Sequence, residues 1–68
     1  MKYIKAKGVG WYERELSDGM IESLTLTPNS TSIALRDRSL SGNNLAKWRR
    51  ISFSQYMKVR ELVINKFI

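Results

Sequence analysis

Residues 47–50, Lys-Trp-Arg-Arg, place three cations and one indole ring side by side. Cations offset the phosphate charges of a nucleic acid, and flat rings stack on unpaired bases, each stack contributing about 1–3 kcal/mol. This short segment therefore carries both groups that binding of a single-stranded nucleic acid requires. The alternative is that Trp48 belongs to a hydrophobic core or to a subunit contact.

Alternation within this segment predicts which side chains act together. If residues 47–53 are extended, Trp48 and Arg50 point to one face, and Ile51 and Phe53 point to the other. We expect the first face to meet a phosphate chain and its bases. We expect Ile51 and Phe53 to sit in the core.

Cations in two other segments extend this pattern. In a strand over residues 31–38, Arg36 and Arg38 share the face opposite Ile33 and Leu35, with ion pairs to nearby acids as the alternative to binding. In an extended first strand, one tyrosine and two lysines share a face and continue the path. The candidate nucleic-acid-binding residues are Tyr3, Lys5, Lys7, Arg36, Arg38, Lys47, Trp48, Arg49 and Arg50.

The charge distribution favours a polyanionic partner. The formal net charge is +6, from 12 Lys and Arg against 6 Asp and Glu. Most of the acids gather between residues 13 and 22, away from the candidate residues. Nucleic acid is the commonest polyanion inside a cell, although a small protein with a solvated basic surface would show the same totals.

Composition argues against catalysis. The chain contains no His and no Cys, so a nucleophile would have to be Ser, Thr or Lys with an unusual base. The clustered acids fall in a predicted turn and lack the spacing of metal ligands. We therefore expect a binding protein, not an enzyme, with no metal and no cofactor.

The sequence also predicts an intracellular location without a membrane. Lysines stand near the N-terminus where a signal peptide needs an apolar run, and no segment approaches the roughly 20 apolar residues of a membrane span. The absence of Cys fits a reducing compartment. Cytoplasm, nucleoid or host cytoplasm is expected, or the nucleus in a eukaryote.

We expect one domain over residues 1–68. Strand-like segments at residues 2–14, 20–27, 31–38 and 47–53 are separated by turns at 17–19 and 28–30 and a polar loop at 39–46, and the second and third segments form a hairpin. Gly8 and Gly10 predict a bulge or bend in the first segment. The predicted fold is α+β, a four-stranded antiparallel sheet followed by one C-terminal helix.

The helix carries its own start signal. Ser52 and Gln55 have the spacing of a capping box, and Ile51 and Tyr56 have the spacing of a hydrophobic staple. Ser54 is the alternative N-cap.

Two apolar stripes run along the predicted helix, about 100° apart. The first stripe, expected to cover the sheet, consists of Tyr56, Val59, Val63 and Phe67. The second stripe, expected to form a homodimer interface, consists of Met57, Ile64 and Ile68. A dimer is expected because a chain of this size buries only about 60% of its unfolded surface and has no disulfide or metal to stabilise it.

Residues 51–53, Ile-Ser-Phe, and 55–63, Gln-Tyr-Met-Lys-Val-Arg-Glu-Leu-Val, resemble the closing strand and helix of the positive cofactor four transcriptional coactivators. That family's C-terminal domain ends in a similar Ile-Ser-Leu, followed by Gln-Trp-x-x-Leu-Lys-Glu-x-Ile. Upstream, residues 32–36, Ser-Ile-Ala-Leu-Arg, stand where the family has an apolar strand ending in Arg. The resemblance covers residues 21–67 and includes Gly42 in the following loop.

The resemblance implies a dimeric four-stranded antiparallel sheet with a helix, which binds single-stranded DNA on its sheets and loops. Such proteins also occur in bacteria and bacteriophages, with roles in transcription, replication and repair. Arg36 matches the family pattern best, and Lys47 and Arg49 match basic positions approximately. The family's functional Trp and Phe fall near Ser39 and Thr27, and the lead-in to the helix is two residues shorter.

These observations together predict a largely sequence-independent single-stranded-DNA-binding protein acting in replication, recombination, repair or transcription, with proteins of those processes as further partners. Two alternatives remain. The first is a small interaction protein that inhibits or recruits a partner enzyme through its helix and an open sheet edge. The second is a single-stranded-RNA-binding protein, because stacking and phosphate contacts discriminate poorly against a 2′-hydroxyl.

Overall fold

The computed structural model describes residues 2–6, 10–16, 18–40 and 48–66, apart from the side chain of residue 40. The described residues form one antiparallel sheet in the order β4-β3-β2-β1-β5 and one helix that follows it. The elements in chain order are β1 (Tyr3–Ala6), β2 (Trp11–Glu15), β3 (Met20–Leu26), β4 (Thr31–Asp37), a short 3-10 helix (Arg38–Leu40), β5 (Trp48–Arg50) and α1 (Phe53–Asn65).

The sheet has five strands, so the prediction of four was wrong although the α+β class is confirmed. The segment predicted as one bent strand over residues 2–14 forms two strands, β1 and β2, which pair antiparallel with Ile4 opposite Glu13. Glycine marks both bends within a strand and connections between strands, which is why the pattern did not separate the two. Residues 7–9, with the predicted bulge at Gly8, lie outside the described part of the chain.

Gly10 has a steric role at the start of β2. The Leu26 N–H donates to the Gly10 carbonyl oxygen at 2.8 Å. A Cβ at position 10 would lie 1.9 Å from the Leu26 carbonyl oxygen, so only glycine allows the two backbones to approach this closely.

The predicted hairpin of β3 and β4 is confirmed. Leu24 lies opposite Ile33, and the pairing extends without a bulge from Met20 opposite Asp37 to the turn. At the turn, the Thr27 N–H donates to the Ser30 carbonyl oxygen at 2.8 Å. At the preceding turn Gly19 has φ of 80°, a left-handed conformation that glycine adopts without strain.

Helix α1 packs on one face of the sheet, which we call the helix face. Its core consists of Leu24, Tyr56 and Val63, and half-buried side chains of the sheet and helix pack around them. The opposite face carries Ile4 and Ile21, which are also buried. Both faces of the sheet are therefore at least partly covered.

Helix α1 begins as the sequence predicted. Gln55 N donates to Ser52 Oγ at 3.1 Å, and Ser52 N donates to Gln55 Oε1 at 3.2 Å, which completes a capping box. Ile51 packs against the core as expected. The expectation for Phe53 was wrong: it is the first helical residue and is 57% exposed, because the cap at Ser52 starts the helix before the strand reaches it.

The helix uses part of the second stripe internally. Met57 packs against the core of its own chain, and Ile64 is half-buried. Phe67 and Ile68 lie outside the described residues. A dimer through this stripe stays a prediction. Within the described part of the chain, no helix is long and apolar enough to cross a membrane.

Candidate nucleic-acid interface

Strand β5 forms one edge of the sheet and carries three consecutive candidate residues. It pairs with β1 so that Arg49 lies opposite Lys5, Arg50 opposite Ile4, and Trp48 opposite Ala6. Paired residues project to the same face of a sheet. Arg49 and Lys5 therefore share the helix face, whereas Trp48 and Arg50 share the opposite face, as the alternation predicted.

A cleft of about 170 Å³ lies on the helix face between α1 and strands β1, β2 and β5, and we call it the basic cleft. It is lined by Lys5, Tyr12, Arg49, Ile51, Gln55, Lys58 and Val59. Three of these residues are cations, and none of the described residues lining the cleft is acidic. This set of lining residues is compatible with an anionic group such as phosphate, because cations from three separate elements border one small volume.

The ring of Tyr12 contacts one of these cations, Lys5. Lys5 Nζ lies 5.7 Å from the centroid of the Tyr12 ring, within the range of a cation–π contact. The rest of Tyr12 packs against the hydrophobic core. One side of the cleft is therefore formed by the core-packed ring of Tyr12, with the ammonium group of Lys5 beside it.

Sequence reasoning missed Lys58 and Tyr12 as members of the site. Gln55, Lys58 and Val59 follow the i, i+3, i+4 spacing that brings side chains to one face of a helix. Since α1 begins only three residues after β5 ends, its first turns lie beside that strand. That short connection was the signal that could have placed Lys58 near Arg49.

Two other arginines, Arg14 of β2 and Arg60 of α1, form ion pairs with a buried carboxylate, that of Glu22. Glu22 is only 4% exposed and accepts hydrogen bonds from Arg60 Nε at 3.1 Å and from the Tyr56 hydroxyl at 3.1 Å. Arg14 Nε lies 3.0 Å from Glu22 Oε1 as an ion pair. Neither arginine lines the basic cleft.

The charge state of this cluster follows from its contacts. Burial by itself would raise the pKa of Glu22, but the hydrogen bond from Arg60 and the charge of Arg14 outweigh burial and lower that pKa. Burial, and next the Glu22 carboxylate, raise the pKa of the Tyr56 hydroxyl. The cluster is a salt-bridged core element in which Glu22 is ionised at neutral pH.

Arg36 and Arg38 lie at the other edge of the sheet. Arg36 is exposed on β4, opposite Ile21, and β4 is separated from β5 by four strand spacings, or about 19 Å. Arg38 lies beyond the strand in the 3-10 helix, and its Nη2 forms an exposed ion pair with Glu15 Oε1 at 3.2 Å. The structure therefore does not bring these two arginines together with those of β5.

The remaining candidates differ in their surroundings. The Tyr3 ring contacts Phe53, with ring centroids 5.6 Å apart, and Tyr56, with centroids 5.4 Å apart, so it is part of the packing between sheet and helix. Lys7 and Lys47 lie outside the described residues. Trp11 is 45% exposed and, by alternation with the inward Tyr12, faces the same side as Trp48.

The described residues contain no group of three or more His, Cys, Asp and Glu that could hold a metal ion. No family model, no curated protein and no solved structure matches this chain. The resemblance of residues 21–67 to the positive cofactor four family stays a prediction.

Proposed function

We propose that the protein binds single-stranded nucleic acid, with single-stranded DNA as its ligand, along the β5 edge of the sheet. The basic cleft is the observation that carries this proposal. The cleft is lined by three cations from three elements, Lys5 of β1, Arg49 of β5 and Lys58 of α1. No described residue lining it is acidic. A polyanion is the ligand that relieves the mutual repulsion of these charges.

The two faces of β5 suit the two parts of a nucleic acid chain. On the helix face, Arg49 lines the basic cleft, where we place backbone phosphates. On the other face, half-buried Trp48 and exposed Arg50 share one side of the strand, where we place bases and a neighbouring phosphate. A strand that runs along this edge would contact both sets of residues. Stacking on Trp48 requires an unpaired base, which favours single strands over duplex.

Sequence-independent binding follows from the kinds of contact involved. Phosphate contacts carry no sequence information, and every base has a face that stacks on an aromatic ring. Affinity should therefore depend strongly on salt and weakly on base composition. A role in replication, recombination, repair or transcription rests on the family resemblance alone.

A binding titration with a matched charge control tests the proposal. Fluorescence anisotropy with labelled single-stranded and duplex oligonucleotides at low and moderate salt compares the parent with Arg49→Ala and Lys66→Ala. Lys66 is exposed after α1 and does not line the cleft, so its removal changes net charge alone. We expect Arg49→Ala to weaken single-strand binding about tenfold, the size of one charged contact, and Lys66→Ala to change it little.

Three outcomes of this titration would contradict the proposal. They are absence of binding at low salt, equal or tighter binding of duplex, and equal losses for Arg49→Ala and Lys66→Ala. Competition between DNA and RNA oligonucleotides of the same sequence separates the RNA-binding alternative.

A function in protein recruitment has an observation of its own in its favour. Four large apolar side chains of the described residues are exposed, on both the sheet and the helix: Trp11, Leu35, Phe53 and Leu62. Capture of a partner protein that survives nuclease treatment, with no binding of oligonucleotides, would favour this candidate.

A further inference from the structure

Strand β4 leaves one edge of the sheet without a neighbour among the described residues. All seven of its residues pair with β3 on the inner side, in an unbroken register. Residues 34–37 are exposed, including Leu35, which is 65% exposed on the helix face. An edge of this kind offers a row of backbone donors and acceptors to another strand.

Strand β4 lacks most of the features that prevent an edge strand from pairing with a strand of another chain. Residues 31–37 contain no proline, no lysine and no glycine, and the pairing shows no bulge. Its two charged residues, Arg36 and Asp37, stand together at its end. The first five residues therefore present an uncharged, regular edge.

We infer that β4 pairs with β4 of a second copy of this chain, antiparallel about a twofold axis at Ala34. Pairing about Ala34 is the register in which all seven residues of the strand find a partner, from Thr31 opposite Asp37 of the partner subunit to Asp37 opposite the partner's Thr31. The two five-stranded sheets then merge into one continuous sheet.

This register is complementary to itself in both charge and size. Arg36 lies opposite the partner's Ser32, so no charged residue faces another. Leu35 lies opposite Ile33 of the partner subunit on the helix face, where the contact covers its exposed side chain. Ala34 meets its own copy at the axis, where a small side chain causes no clash.

Neighbouring symmetric registers are less favourable. A twofold axis at Arg36 would place two guanidinium groups opposite each other, which destabilises a cross-strand pair. An axis at Ile33 or Leu35 leaves two residues of each strand unpaired. Pairing about Ala34 adds about six to eight backbone hydrogen bonds between the subunits.

In this dimer the subunits meet at the sheet edge and not at the helix, where the second apolar stripe predicted the contact. Met57, predicted to face a partner, already packs in its own core. In the merged sheet the two β5 edges stand at opposite ends, nine strand spacings or about 43 Å apart along the sheet. The dimer does not depend on nucleic-acid binding, and its test needs no nucleic acid.

Site-directed cross-linking tests the contact directly, because the chain has no native cysteine. In Ala34→Cys the two thiols would face each other at the axis, where opposed Cα atoms lie about 4.5–5.5 Å apart, within the reach of a disulfide. We expect oxidation at low protein concentration to give a covalent dimer. Glu61→Cys, an exposed position on α1, is the control and should stay monomeric.

Charge substitutions at the axis give a second, independent measurement. Ala34→Arg and Ala34→Glu each place like charges in contact and should sediment as monomers with unchanged circular dichroism. Mixed together, they should form a heterodimer. The parent should sediment as a dimer.

Several results would overturn the inference. They are a monomeric parent at about 100 μM, equal cross-linking of Ala34→Cys and Glu61→Cys, and an Ala34→Arg protein that stays dimeric. If the charged variants do not fold, the cross-linking result decides. Loss of dimerisation with intact binding of short single strands would leave the proposed function standing, and the converse would leave the dimer standing.

Discussion

Arg49 of β5 lies directly opposite Lys5 of β1, on the same face of the sheet. Two like charges in this cross-strand position destabilise a sheet, by an amount in the range of about 0.2–1 kcal/mol. Lys58 of α1 adds a third cation to the same cleft, and no described acid lines it. This set of cations without a described acid beside them supports the proposed binding of an anion.

The first prediction concerns this pair. Arg49→Thr removes the repulsion and introduces a residue that suits a strand, so the free energy of unfolding should rise by up to about 1 kcal/mol. The melting temperature should then rise by up to about 4–8 °C, while affinity for single-stranded DNA falls. Calorimetry and anisotropy on the same preparation measure both. A loss of stability together with affinity would mean that Arg49 has a structural role instead.

The second prediction compares the two edges of the sheet. Trp48→Ala should weaken single-strand binding by about 1–3 kcal/mol through the loss of one stacked base. Arg36→Ala, about four strand spacings away, should have a smaller effect. Anisotropy titrations with a short oligonucleotide measure both variants. Circular dichroism checks that each variant is folded, and a larger loss for Arg36→Ala would place the binding path on β4.

The third prediction concerns pH and the buried carboxylate. Because contacts in the folded protein hold the pKa of Glu22 below its ordinary value of 4.5, its ionised form adds stability above that value. That contribution is lost progressively as the pH falls from 4.5 through the folded pKa. The fall should be shallower in Glu22→Gln, which is also less stable at pH 7 because Arg14 and Arg60 lose their charged partner.

Thermal unfolding between pH 3 and pH 7 measures this difference. Glu61→Gln, at an exposed position on the same helix, is the matched control and should follow the parent. Parallel curves for the parent and Glu22→Gln would rule out Glu22 as a source of the acid sensitivity.

The fourth prediction concerns the helix cap. Ser52→Ala removes the oxygen that accepts from Gln55 N and should cost about 1 kcal/mol of stability. For a domain of this size that corresponds to a melting temperature lower by about 4–8 °C. Ser54→Ala, the alternative cap position, should cost less. Thermal denaturation of the two variants decides between them, and equal losses would contradict the assignment of Ser52.

The helix cap, the β3–β4 hairpin and the alternation of side chains in β5 were predicted correctly from the sequence. The cap at Ser52 depends on two side chains three residues apart, and the β3–β4 hairpin depends on a short turn between two alternating segments. The opposite directions of Trp48 and Arg49 follow from strand geometry alone. Each of these features depends only on residues close together in the sequence, so the sequence pattern was sufficient to predict it.

The candidate site was predicted only in part. Residues 48–50 were identified from their types, but Lys58 and Tyr12 enter the cleft through the packing of α1 and β2 against β1 and β5. Arg36 and Arg38 were predicted to continue the same surface. Their distance from β5 depends on strand order, which side-chain alternation does not specify.

The sequence by itself determined the α+β class, the hairpin, the helix start and the absence of His and Cys chemistry. Only the tertiary structure decided that residues 2–14 fold into two strands and that β5 pairs with β1 at the edge far from β4. The physical reason is that a strand must satisfy its backbone hydrogen bonds with some neighbour, and long-range packing selects which one. That selection brought Arg49 opposite Lys5 and so created the basic cleft.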